Sequence, residues 1–122
     1  MITSWDDIRE FYEDLVKNGL KLEAMLKLID NIKSSVYADS LYAWTSMHDL
    51  CIVQTPVTYP YDGPYLRISP LFNGNVEFRY IDTHVKTKQW SRMFDENNLY
   101  AKLMSFTDQL HWLVKDKRLN DS

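Results

Sequence analysis

Leu66, Ile68, Pro70 and Phe72 on one arm, and Val76, Phe78 and Tyr80 on the other, all fall on even numbers, with Asn73-Gly74 between them. Such alternation marks a strand with one buried face, because successive side chains leave a pleated backbone on opposite sides. For the even residues of both arms to share a face, facing residues must sum to an even number, which requires a loop of odd length. A two-residue Asn73-Gly74 turn sets Ile68 opposite Arg79 and is disfavoured. A three-residue loop, Phe72-Asn73-Gly74 with glycine left-handed in third place, pairs Ile68 with Phe78 and Leu66 with Tyr80. Pro70 cannot donate to a ladder, so its arm is expected at a sheet edge or beside a bulge.

The flanking sequence supplies helices. Ser4-Trp5-Asp6-Asp7 offers a hydroxyl cap followed by two carboxylates, which suit the free N–H groups and dipole of a helix start. Trp5, Ile8, Phe11, Tyr12, Leu15 and Val16 follow at helical spacing until Asn18-Gly19 ends the run. Leu22, Met25, Leu26, Ile29 and Ile32 mark a second helix reaching Lys33. Leu41–Thr45 and Leu50–Thr55, rich in aromatic and β-branched residues, read as two strands of a hairpin, with a helical stretch near 37–45 as the competing reading. Leu99, Leu103, Phe106, Leu110 and Leu113 form the stripe of a last helix that starts near Asp95 to Asn98, and Lys115 to Ser122 reads as a polar tail. The expected fold is a single α+β domain over residues 1–122: a small antiparallel sheet of about four strands, with an N-terminal helical pair and a C-terminal helix packed on one face.

Composition excludes several function classes. A chain of 122 residues buries about two-thirds of its unfolded surface and needs neither metal nor disulfide to fold. The lone Cys51 has no internal partner and no signal-like segment opens the chain, so a reducing cytoplasmic setting is expected. Apolar runs such as Leu50-Cys51-Ile52-Val53 fall far short of the roughly 20 residues that span a bilayer, so no membrane partner is expected. A formal charge of -3 argues against nonspecific nucleic-acid binding, although His84, Lys86, Lys88 and Arg92 around Trp90 make one basic stretch. Glycines only at 19, 63 and 74 rule out GxGxxG and P-loop devices, and the absence of HExxH and CxxC argues against a metal site or a cofactor.

Covering one sheet face leaves the other free. In the expected register its odd-numbered residues set Arg67 directly opposite Arg79, a like-charge pair that needs an anion, and Glu77 is diagonal to Arg67. The functional reading is an arginine pair gripping a carboxylate or phosphate of a partner. The plain reading is a solvated face neutralised by Glu77. Residues 56–65 hold Tyr59, Tyr61 and Tyr65 among three prolines, which reads either as a stiffened recognition loop or as rings plugging the end of the core. Cys51 lies in an apolar run that raises its pKa, so it reads as an inert buried thiol despite His48-Asp49 nearby.

These traits fit a non-enzymatic intracellular protein-binding module whose partner-binding residues are Arg67, Arg79, Glu77, Tyr59, Tyr61 and Tyr65. A small acidic inhibitor or immunity-type protein of a microbe, masking a basic active site, matches the size and charge. The alternative is a small-ligand-binding protein or modest hydrolase with a pocket near Arg79, Tyr80, Asp82 and His84. A third reading makes the hairpin edge or the free face a homodimer contact.

Overall fold

The computed structural model describes residues 1–82 and 84–112. Helix α1 (Trp5–Lys17) begins where Ser4 Oγ accepts from Asp7 N–H at 3.1 Å, and carries Asp6 and Asp7 in its first turn. It ends in a paired cap at a left-handed glycine: Gly19 (φ +95°) donates to Val16 O and Leu20 donates to Leu15 O, both at 3.0 Å. Helix α2 (Glu23–Lys33) follows, then a 3-10 turn at Val36–Asp39. The sheet comes next as β1 (Tyr42–Ser46), β2 (Asp49–Val53), β3 (Tyr65–Pro70), β4 (Asn75–Ile81) and β5 (Trp90–Asp95), before helix α3 (Leu99–Gln109).

The sheet is an antiparallel meander in the order β1-β2-β3-β4-β5. The β3–β4 register pairs Ile68 with Phe78, Leu66 with Tyr80 and Arg67 with Arg79, as the parity argument requires. Leu71 N–H donates to Asn75 O at 3.1 Å, which leaves a three-residue loop of Phe72, Asn73 and Gly74, with Gly74 at φ +89°. The competing helical reading of 37–45 reduces to the short 3-10 turn, since Tyr42–Ser46 is a strand.

Two expectations are corrected. The sheet has five strands where about four are expected. Trp90–Asp95 escapes the alternation test because its helix-facing row, Trp90, Arg92, Phe94, has a cation in the middle, which an edge strand tolerates. The arm carrying Pro70 is also not an edge but the central strand. The Leu71–Asn75 bond sets the phase of the ladder, so even residues of β3 turn their backbone groups toward β2. Pro70 lies past the last β2–β3 pair, Leu50 with Ile68, and its missing donor has no partner to lose.

All three helices cover the face built from Leu50, Ile52, Leu66, Ile68, Val76 and Phe78. Ile8, Tyr12, Met25, Ile29, Ile32, Leu103 and Phe106 complete one continuous core with them. Tyr12 is fully buried and its hydroxyl donates to His48 O at 2.9 Å, tying α1 to the β1–β2 turn. On the β5 side, Trp90 stacks on Phe106 with centroids 4.2 Å apart, and Phe78 packs edge-on against Phe94 at 5.1 Å. Asn98 caps α3 in a left-handed conformation without a side-chain bond, and Leu113, Val114 and the tail 115–122 lie outside the described residues. Among the described residues no helix is long and apolar enough to cross a membrane.

Candidate functional site

The face opposite the helices is organised in rows that cross the strands. Register places Trp44, Cys51, Arg67, Arg79 and Ser91 side by side in one row; in the next, Ser46 faces Asp49 on one side and Ser69, Glu77 and Met93 line up on the other, with Asp49 one residue beyond the last β2–β3 pair. The two arginines of the first row lean on the hydroxyls and carboxylates of the second. Arg67 Nε donates to Asp49 Oδ2 at 2.6 Å and its Nη2 to Ser46 Oγ at 3.4 Å. Arg79 Nη2 donates to Ser69 Oγ at 3.2 Å, with Glu77 Oε1 3.5 Å from its Nε and Asp49 Oδ2 3.9 Å from its Nη2.

Asp49 is therefore the anion that lets Arg67 and Arg79 face each other. Glu77, the carboxylate expected diagonal to Arg67, turns to Arg79 instead. Asp49 follows the β1–β2 turn, where the sequence shows no arginine near it, and only the packing of β3 beside β2 brings Arg67 to it. Burial works against the Arg67 cation, but its bonds to Asp49 and Tyr65 outweigh this and hold its pKa above the ordinary guanidinium value. The Arg79 Nε is buried and makes no hydrogen bond among the described residues.

Cys51 lies between Trp44 and Arg67 in its row and is fully buried although it belongs to the helix-free face. Burial pushes its thiol up to about 11, against the pull of the Arg67 charge. The charged side chains of this face are themselves largely covered: Arg67 and Asp49 are 19% and 17% exposed and Arg79 38%.

The tyrosines divide between the two readings of their loop. Tyr61 packs edge-on against Trp44 at 6.3 Å and donates its hydroxyl to Pro64 O at 2.6 Å, while Tyr65 tilts against the same indole at 5.5 Å. Gly63 is buried beneath Tyr61, whose hydroxyl would stand 2.6 Å from an added Cβ. Tyr59 is 83% exposed. Two of the three rings line the rim of the open face and the third stands in solvent.

Residues of the alternative pocket are placed differently. A shallow depression of about 390 Å³ is lined by Arg79, Tyr80, Ile81, Gln89, Trp90 and Ser91. Asp82 is buried, and its Oδ1 accepts from His84 N–H at 3.0 Å and Val85 N–H at 2.9 Å. The Val85 N–H, then that of His84, holds its carboxyl below the usual carboxylate range against the cost of burial. His84 Nε2 is exposed, 3.6 Å from the exposed carboxylate of Asp62. Asp82 thus shapes a bend, and His84 meets its carboxylate in open solvent. Among the described residues no group of three or more His, Cys, Asp or Glu gathers in a way that could hold a metal ion.

No family model, no curated protein and no solved structure matches this chain.

Proposed function

We propose that this chain is a non-enzymatic protein-binding module, a small acidic inhibitor or immunity-type protein of a microbe that works inside the cell. It engages its partner with the helix-free sheet face and the loop 54–64. The observation that carries this reading is the pre-ordered row of Arg67 and Arg79 on Asp49, set beside the aromatic rim of Trp44, Tyr61 and Tyr65 on a face that none of the described helices covers. Arginines held by neighbours lose little freedom on docking, and aromatic rings supply area at small entropic cost. A net charge of -3 favours a basic partner by speeding its approach. A hydrolase centred on Arg79, Tyr80, Asp82 and His84 draws less support, since Asp82 is committed to backbone donors and His84 to an exposed contact.

Site-specific photo-crosslinking in host cells tests the reading. A crosslinker in place of Tyr59 or Glu77 is expected to trap one discrete partner, and one in place of the exposed Lys27 on α2 is expected not to trap it. Arg79→Ala should reduce the trapped band. An equal yield from Lys27, or no partner from the sheet face, refutes the assignment.

A further inference from the structure

The two edges of the sheet are treated differently by the rest of the chain. At the β1 edge, Thr3 N–H donates to Ala43 O at 2.8 Å, so the segment ahead of α1 covers it. At the β5 edge no ladder partner is present among the described residues. Glu96 N–H donates to Gly74 O at 3.0 Å, which continues the β4–β5 register and sets its phase. Even residues of β5 bond to β4, while Ser91, Met93 and Asp95 turn their N–H and C=O groups outward. The strand contains no proline, and Met93 is 54% exposed on it. Among the described residues its outward carbonyls are met by Arg92 Nη1 on Ser91 O at 2.9 Å and Lys102 Nζ on Asp95 O at 3.0 Å. Exposed contacts of this kind are worth little, and each carbonyl keeps a second lone pair.

We infer that β5 pairs with β5 of a second copy of this chain, antiparallel about a two-fold axis through Met93, so that two five-stranded sheets become one continuous sheet. A two-fold axis perpendicular to the sheet keeps both sets of helices on the same side, so facing residues share parity and only even sums are allowed. The register centred on Met93 sets Met93 against its own copy and Ser91 opposite the second copy's Asp95, and the outward backbone groups of all three residues bond across the axis. On the helix-bearing side the second copy's Glu96 arrives opposite Trp90 and diagonal to Arg92. The Arg92 guanidinium already stands 4.5 Å above the Trp90 ring, beside the place this carboxylate takes. Two such ion pairs form, related by the axis. Moving the centre to Arg92 would instead set the two guanidinium groups face to face. The contact uses the sheet edge and is independent of the partner proposed for the open face.

Sedimentation velocity over tens to hundreds of micromolar tests it. The wild type is expected to shift reversibly toward twice the monomer mass. Met93→Pro removes an N–H that points away from β4, at an edge position that tolerates proline, so it should keep the monomer's circular dichroism spectrum and lose the shift. Arg92→Glu and Glu96→Arg each place like charges across the axis, and each alone should associate at least tenfold more weakly than wild type. Mixed in equal amounts, these two variants restore both ion pairs and should form a heterodimer. A wild type that stays monomeric throughout overturns the proposal, as does a Met93→Pro protein that still dimerises or a mixture that associates no better than its components.

Discussion

Replacing Asp49 by asparagine keeps the size and one acceptor of this side chain while deleting the charge on which both sheet-face arginines depend. The side chains of Asp49 and Arg67 are 17% and 19% exposed, so solvent screens their 2.6 Å contact only partly. The exchange replaces a hydrogen bond between two charged groups by one in which only the guanidinium is charged, at a cost of about 1 kcal/mol. Loss of the 3.9 Å contact to Arg79 and the unrelieved facing of two guanidinium groups add about another 1 kcal/mol. With about 2.1 cal/mol/K of unfolding entropy per residue over 122 residues, a total of about 2 kcal/mol lowers Tm by about 8 °C. Calorimetry at pH 7 would read this, and about 1 M salt should narrow the gap by screening the arginine pair. Glu77→Gln is the control, because its 3.5 Å approach to a more exposed Arg79 is worth less than about 1 kcal/mol. An Asp49→Asn protein that melts within about 2 °C of wild type, or a Glu77→Gln protein that loses as much, refutes this role for Asp49.

Tyr12→Phe leaves the ring in place but strips His48 O of its donor, and urea unfolding should show a loss of about 1–2 kcal/mol without a change in m. Stability should also fall on the alkaline side. Cys51 has its pKa raised in the fold from 9.0 to about 11, so the unfolded chain loses that proton first. Its contribution is complete below pH 9 and is lost as pH rises toward 11, at a cost of up to about 3 kcal/mol. Burial raises the Tyr12 hydroxyl as well, with the same sign. In Cys51→Ala the decline between pH 9 and 11 should be shallower than in wild type; equal slopes would exclude the thiol as its source.

Legibility followed the strength of the local pattern. The β3–β4 hairpin could be read to the residue because alternation, a glycine at the αL position and a parity condition all limit the same few positions. Helices α1 and α2 were equally readable from cap residues and apolar spacing. Trp90–Asp95 was not, since an edge strand with Arg92 in its inward row carries no alternation to detect. Arg67 and Arg79 came from that same parity. Asp49 did not, because a residue at the start of one hairpin acquires its partner only when the next hairpin packs beside it, and strand order is a tertiary fact. The sequence allows two readings of the tyrosine loop, and side-chain packing divides it between them: Tyr61 and Tyr65 on Trp44, Tyr59 in water.

Residues 54–64 leave the sheet after Val53 and rejoin it at Tyr65 on the neighbouring strand. Adjacent strands are only about 4.8 Å apart, and as few as two residues would close the gap. Most of this segment's length is thus surplus to the path of the chain, and its ends are pinned by the strands it joins. A foreign peptide grafted in its place would be held at both ends, which makes the domain a natural display scaffold.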